Sequence, residues 1–338
     1  MTAPAASPSN AQITVREILE RTERFLKQKG CESPRVDAEI LLSHAWKCDR
    51  IMLYTRYKDA TPDPVRDAMR QLVSKRASHV PIAYLVGFKE FFSMKFAVSQ
   101  AVLVPRPETE TLAAEAIRFL NPKPEPVGDA EREDPAERPQ VDPEAPDSQP
   151  FGMEDEPSGS AKPSSRPHRS RVLDLGTGSG CLAITIAKRC PTVTVDAVDL
   201  SAEAIQLAER NTRIHKLADR VTLHEGDLFG PVQRQRYDLI VSNPPYVRSD
   251  EMATLDADVR DHEPALALDG GADGLDVVRR LLADAPTHLA PGGGLMLELD
   301  PAQMSATRDL LSAAGFGSIR VVKDGNRQER VIVGHLPA

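Results

Sequence analysis

A mostly parallel α/β sheet with helices on both faces, closed by an antiparallel hairpin and preceded by a small helical domain, is the fold this sequence predicts. Three observations carry the prediction. Beyond residue 170, short apolar runs of strand composition alternate with stretches of helical periodicity, the pattern of βα units. The last two apolar runs, "GSIRVVKDGN" and "RVIVGHL", have no helical stretch between them, so an antiparallel hairpin is expected there. Before the "GFKEFF" run, apolar residues recur at helical spacing.

The first helix is expected in "TVREILERTERFLKQKG", with Val15, Ile18, Leu19, Thr22, Phe25 and Leu26 on one face. Thr14 and Glu17 form a capping-box signature, and Gly30 supplies the stop. A second helix starts at Ser33-Pro34 and carries Ala38, Leu41, Leu42 and Ala45. A third begins at Asp63-Pro64, with Val65, Met69, Leu72 and Val73 inward. Strands are expected at Glu90–Val98 and Val102–Val104, then a helix through Leu112, Ala113, Ala116, Ile117 and Leu120. In the second half, "RVLDLG", "VTVDAVDL", "VTLHEGDLF", "YDLIVSN" and "GGLMLELD" read as strands, with "CLAITIAKRC" and "AEAIQLAERNTRIHKL" as helices.

Between these halves, residues 121–171 hold 12 acidic and 7 basic residues and 11 of the 28 prolines. Almost no large apolar side chain is available there to offset the entropy of ordering, so the stretch is expected to be a disordered, acidic, Pro-rich insertion. It carries −5 of the net charge of −8, which leaves the remainder close to neutral and argues against a nucleic-acid-binding surface. No apolar run reaches the roughly 20 residues of a membrane span, and "MTAPAASPSNAQ" has neither the basic nor the apolar region of a secretory signal. The four cysteines are scattered without a C-x-x-C pair; reduced thiols, no metal site and a cytoplasmic location are expected.

Ligands of open α/β sheets bind outside the carboxyl ends of the strands. The first such end is "VLDLGTGSGC", in which Gly176-Thr177-Gly178-Ser179-Gly180 can turn tightly and let a cofactor approach the backbone. Asp199, 23 residues after Gly176, ends the next strand where a carboxylate can accept from both hydroxyls of a ribose. Cys181 stands where a dinucleotide fingerprint needs Gly or Ala. The resulting G-x-G-x-G pattern resembles S-adenosylmethionine-dependent methyltransferases of the Rossmann-like class. Asp227, in "GDLF", can accept from an adenine amino group, and Leu228 can cover the ring; a turn or cap role for Asp227 stays open.

The fourth strand runs into "SNPPYV". Two consecutive prolines remove two backbone donors, so the ladder must stop and a rigid elbow form. A planar –NH2 acceptor is a poor nucleophile because its lone pair is delocalised. The Asn243 side-chain carbonyl can accept one of its hydrogens and the Pro244 backbone carbonyl the other, which orients the nitrogen and stabilises developing positive charge. Tyr246, beyond Pro245, can stack on the flat group.

"PRVDAEILLSHAW", "PIAYLVGFKEFF", "VLVPRPETE", "LDLGTGSGC", "GDLF", "VSNPPYV", "DHEPALALDGGADGL" and "APGGGLMLELDPAQ" together resemble the release factor glutamine methyltransferase family (HemK/PrmC type) over nearly the whole chain outside the insertion. The resemblance implies a Rossmann-like class I methyltransferase sheet, parallel with a C-terminal antiparallel hairpin, plus a small N-terminal helical domain. It implies methyl transfer from S-adenosyl-L-methionine, leaving S-adenosyl-L-homocysteine, to the glutamine side-chain nitrogen of the Gly-Gly-Gln loop of peptide-chain release factors. Carried over, Gly176, Gly178, Gly180, Asp199 and Asn243 contact the cofactor, and Asn243 to Tyr246 hold the glutamine. Arg106 and Glu110 are candidates for the cofactor's methionine end or the substrate loop, with a salt-bridged scaffold the other reading. Glu298 and Gln303 fall at family motif positions, whereas Asp300 stands where the resemblance implies a small residue. The expected divisions are a disordered N-terminus at 1–12, a helical substrate-recognition domain at 13–88, a β-hairpin and first helix at 89–120, the insertion at 121–170 and the catalytic domain at 171–338. A monomer that binds neither nucleic acid nor membrane is expected. The competing readings are an N6-adenine or N2-guanine nucleic-acid methyltransferase, which needs a basic groove, and a non-catalytic cofactor-binding scaffold, which needs a decayed cradle or elbow.

Overall fold

The structure, a computed structural model, describes residues 13–121 and 170–338. The stretches expected to be disordered, 1–12 and 121–170, lie outside the described residues apart from residues 121 and 170.

The N-terminal part holds α1 (Val15–Gln28), α2 (Pro34–Trp46), α3 (Arg50–Thr55), α4 (Asp63–Arg76) and α5 (Ile82–Val86). Thr14 and Glu17 close the capping box of α1, and Gly30 follows its end at φ +79°. Val15, Leu19, Ala38, Leu41, Leu42, Leu53 and Met69 form its apolar core. Phe25 is the exception on the expected face of α1, standing 40% exposed. The short α3 and α5 were not anticipated, because one or two turns leave too few repeats for a period to be read.

The hairpin of β1 (Phe88–Phe91) and β2 (Met94–Ala97) replaces the single strand expected at Glu90–Val98. Phe92 and Ser93 both adopt left-handed backbone (φ 52° and 60°), the geometry of a two-residue hairpin turn, without the Asn-Gly pair that would have advertised it. Val102–Val104 is not a strand. Val102 and Val104 are buried with Ala83, Val98 and Ala204, while the Val102 carbonyl accepts from the Tyr84 hydroxyl at 2.5 Å, not from a neighbouring strand. Then α6 (Thr109–Leu120) leads into the sheet.

The second half comprises β3 (Arg171–Leu175), α7 (Cys181–Arg189), β4 (Thr194–Asp199), α8 (Ala202–Ile214), β5 (Val221–Glu225), β6 (Tyr237–Ser242), α9 (Ala257–Arg260), α10 (Asp276–His288), β7 (Leu289–Glu298), α11 (Met304–Ala313), β8 (Gly317–Lys323) and β9 (Glu329–His335). The seven-stranded sheet has the order β5-β4-β3-β6-β7-β9-β8. Its first five strands are parallel, and β9 inserts antiparallel between β7 and β8. Two apolar layers flank it: one gathers Leu112, Ala116, Leu182, Ile184 and Ile186 on one face, the other Val278, Leu281, Leu282 and Leu311 on the opposite face. Burial on both faces explains why these strands read as continuous apolar runs.

This order fixes where chemistry can occur. The chain winds outward from β3 through β4 to β5, then crosses back to β6 on the other side of β3. The carboxyl ends of β3 and β6 therefore meet at the switch point, where open α/β sheets hold their ligands.

Arg76 ties the helical part to α9 of the second half. Its Nε donates to Asp37 Oδ2 at 2.7 Å and its Nη1 lies 2.7 Å from Asp258 Oδ2 in α9, with both Arg76 and Asp37 buried. His79 Nδ1 sits 3.0 Å from the other Asp258 oxygen, and His262 Nε2 lies 2.9 Å from the Ser78 carbonyl.

Candidate active site

The glycine loop after β3 is held from beneath and from the side. Gly176 and Thr177 both donate backbone N–H groups to the Val198 carbonyl, at 2.9 and 3.0 Å. The Thr177 hydroxyl and the Ala183 N–H donate to Asp174 Oδ2, a carboxylate 1% exposed whose burial pushes it up to about 7. Asp199 accepts from Gly178 N–H at 2.7 Å and from Ser201 N–H at 3.0 Å, so it braces the loop as well as ending β4; burial raises it too. Asn211 is a further brace. Its fully buried amide donates to the carbonyls of Ser179 and Ala97 and accepts from Ala97 N–H, which ties the loop to the hairpin. A polar residue on the inward face of a helix was the available signal for it.

Gly178 has φ +55°, and a Cβ built on it would meet no atom within 4 Å, so the loop faces open space. A cradle of backbone around a volume that any side chain would invade fits a ligand that approaches the main chain closely.

The elbow begins where Ser242 ends β6, its hydroxyl donating to the Leu175 carbonyl across the switch point. Asn243 follows. Its Nδ2 donates to Thr109 Oγ1 at 3.2 Å and to Glu298 Oε1 at 3.1 Å, which leaves Oδ1 as an acceptor. Glu298 is 1% exposed, and burial raises it to about 7. Tyr246 is partly buried, and burial together with nearby Glu298 pushes its phenol up to about 12, so it stays protonated. From outside, Gln303 Nε2 donates to the Tyr246 carbonyl at 2.8 Å and to the Asp273 carbonyl at 3.3 Å. The 268–274 segment completes the clasp: Val247 N–H reaches the Leu268 carbonyl and Gly270 N–H the Val247 carbonyl. A Cβ on Gly270 would stand 2.7 Å from the Pro245 carbonyl oxygen, so only glycine lets the segment lie this close.

Among the candidates, the structure brings together the glycine loop, Asp199 and Asn243–Tyr246. The others point to different partners. Asp227 is ion-paired with Arg280 and exposed, and Leu228 beside it takes φ +46° and packs partly on the apolar core. Arg106 donates to buried Glu263 at 2.8 Å, which anchors the 257–263 segment. Glu110 accepts from Phe92 N–H at 2.8 Å and so caps the hairpin turn. Neither Arg106 nor Glu110 bonds to Asn243. Asp300 causes no disturbance: it accepts from Ala302 N–H and forms a capping box with Gln303. Thr109 and Glu298 were visible only as parts of longer motifs, with no indication that both converge on Asn243.

The comparisons with known proteins agree on a methyltransferase. A family model described as "PrmC N-terminal domain" matches residues 17–87, and one described as "Methyltransferase small domain" matches residues 162–261. A release factor glutamine methyltransferase of Rhodopirellula baltica is 38% identical over 330 residues, covering 97% of this chain and 98% of its own. One from Geobacter sulfurreducens is 37% identical over 324 residues, covering 96% and 97%. A ribosomal protein uL3 glutamine methyltransferase of Bradyrhizobium diazoefficiens is 60% identical over 129 residues, 38% of this chain and 40% of its own.

Proposed function

The chain belongs to the release factor glutamine methyltransferase family, and on that premise we propose that Asn243 and the Pro244 carbonyl receive the acceptor glutamine while the Gly176–Gly180 loop and Asp199 hold the methyl donor. It is an S-adenosylmethionine-dependent methyltransferase. Its acceptor is the side-chain nitrogen, N5, of the glutamine in the Gly-Gly-Gln motif of peptide-chain release factors, and its reaction modulates translation termination. The nucleic-acid reading is not favoured.

The observation that carries the residue assignment is the anchored amide of Asn243. With Nδ2 committed to Thr109 and Glu298, Oδ1 is the end left to accept an N–H. The Pro244 carbonyl accepts the second N–H of the glutamine amide. Both contacts strengthen as the nitrogen gains positive charge, so they favour the transition state over the ground state. Tyr246 covers the planar group and excludes water. Bound S-adenosyl-L-methionine supplies an electrophilic methyl group, with S-adenosyl-L-homocysteine as coproduct. The chain's own part is to hold acceptor nitrogen and donor in line, a contribution of proximity and orientation. Asp227 and Leu228 take the adenine end in this reading, with Arg280 sharing or yielding the carboxylate. Arg106, about a third exposed, is left able to meet the incoming substrate loop. The enzyme is read as a cytoplasmic monomer; among the described residues no helix is long and apolar enough to cross a membrane.

Gly178→Ala tests the cradle. The new Cβ projects into the open volume, and cofactor affinity is expected to fall at least about tenfold by calorimetry. The φ +55° backbone adds a stability loss of about 1–2 kcal/mol. Unchanged affinity would remove this loop from the cofactor site. For the acceptor, mass spectrometry of the Gly-Gly-Gln peptide follows incubation of release factor with enzyme and S-adenosylmethionine. A single added methyl on the glutamine is expected; methylation of ribosomal protein uL3 with an unmodified release factor would overturn the substrate assignment.

A further inference from the structure

We propose that Glu298 is the positioning residue that determines which way round the Asn243 amide is held, so that its oxygen and not its nitrogen faces the substrate. The inference rests on the reading of Asn243 as the group that receives the acceptor amide.

The two ends of a carboxamide are nearly the same size, so only hydrogen bonding tells them apart. Asn243 Nδ2 has two neighbours, Thr109 Oγ1 at 3.2 Å and Glu298 Oε1 at 3.1 Å. The threonine hydroxyl both donates and accepts, and would satisfy either end. An ionised carboxylate only accepts. Turning the amide over would set Asn243 Oδ1 against Glu298 Oε1, two acceptors in a site where Glu298 is 1% exposed and screening by water is weak. Glu298 therefore sets the discrimination, and Thr109, whose hydroxyl hydrogen-bonds the Glu298 carboxylate, follows it.

Backbone register delivers it there. Glu298 is the last residue of β7, and Ser242, just before Asn243, pairs with Leu297. The other carboxylate oxygen, Oε2, is buried without a hydrogen-bond partner. A desolvated, half-satisfied carboxylate is a costly way to fill space, and a neutral isostere would serve packing better. An acceptor-only group is what the orientation requires. Its negative end also polarises the Asn243 amide, making Oδ1 a stronger acceptor.

The arrangement is sensitive to protonation. Arg330 and Arg106 favour the ionised form of Glu298, Glu108 opposes it, Thr109 hydrogen-bonds it, and the Tyr246 phenol beside it remains neutral. Burial outweighs these and raises Glu298 to about 7. A protonated Glu298 offers an O–H, which the Asn243 oxygen accepts when the amide turns over. The bias toward the competent orientation is thus present above pH about 7 and lost as pH falls through it, since a protonated Glu298 both donates and accepts.

The test compares wild type, Glu298→Leu and Glu298→Gln for kcat, KM, cofactor affinity and melting temperature across pH 5.5–8.5, together with the side-chain amide resonance of Asn243, assigned by its loss in Asn243→Ala. Glu298→Leu is expected to lose roughly ten- to hundred-fold in kcat at pH 8, the range of one charge-assisted hydrogen bond, with cofactor affinity nearly unchanged. Glu298→Gln, which like protonated Glu298 both donates and accepts, should keep the fold, hold kcat near the wild type's low-pH level across the range and erase the pH limb near 7. In wild type the Asn243 resonance should titrate near 7, and in Glu298→Gln it should not. A folded Glu298→Leu with wild-type kcat, or an Asn243 resonance indifferent to pH, overturns the inference. The resonance needs no substrate, so it separates this failure from that of the release-factor reading, in which wild type binds cofactor and leaves the Gly-Gly-Gln glutamine unmodified.

Discussion

Asn243→Ala should lower kcat for release-factor methylation by roughly 10²–10³-fold, the range found when one group that stabilises transition-state charge is removed. The substitution deletes the oxygen that orients the acceptor nitrogen, and the remaining Pro244 carbonyl can bind only one of its two hydrogens. It also takes away the donor that Glu298 Oε1 now accepts from at 3.1 Å, leaving a buried carboxylate with no partner from the elbow. A stability loss of about 1–3 kcal/mol should accompany the rate loss. Cofactor affinity should fall by far less than kcat, because the Gly176–Gly180 loop and its brace Asp199 are untouched. Initial rates, calorimetry with S-adenosylmethionine and thermal melts, measured together, check all three. Near-normal kcat in a folded variant would show that the elbow positions nothing.

Arg76→Ala is the second large effect, and it acts through the junction of the two parts of the chain. Removing the guanidinium strands Asp37, a carboxylate 6% exposed that burial already raises. Breaking a buried pair by deleting one partner costs roughly 3–5 kcal/mol. The loss also frees Asp258, which Arg76 and His79 hold and which begins the segment running through Glu263 to the clasp around the elbow. Activity on intact release factor should therefore fall while cofactor affinity does not. Arg76→Met combined with Asp37→Leu separates the two consequences. Replacing the pair by apolar groups should restore most of the stability, yet leave the Asp258 contact broken and the activity low. Denaturant unfolding with parallel rate assays decides it; full recovery of both would confine Arg76 to a packing role.

Most long, strongly periodic elements were legible in the sequence because their signal is local and repeated, although α10 and α11 were not among the helices expected. The capping box of Thr14 and Glu17, the β3 to β6 strands and the closing hairpin follow from residues close together in the chain. Short elements failed for the same reason in reverse. The hairpin turn at Phe92-Ser93 uses left-handed backbone in residues that do not announce it, and Val102–Val104 has strand composition but spends its backbone on Tyr84. The candidate site divides similarly. Gly176–Gly180, Asp199 and Asn243–Tyr246 could be read from motif and spacing, whereas the ties of Asp227 to Arg280 and Glu110 to Phe92 could not.

The sequence by itself therefore determined most of the elements with strong local periodicity, the glycine turn after β3 and the proline-stiffened elbow after β6, since each is dictated by backbone stereochemistry within a few residues. Only the tertiary structure decided what stands behind the elbow. Thr109 is 134 residues before Asn243 and Glu298 is 55 after it, and no local rule relates them. The sheet order brings their strand and helix ends to one point, and there the loss of water turns an ordinary hydrogen bond into one that dictates the orientation of an amide.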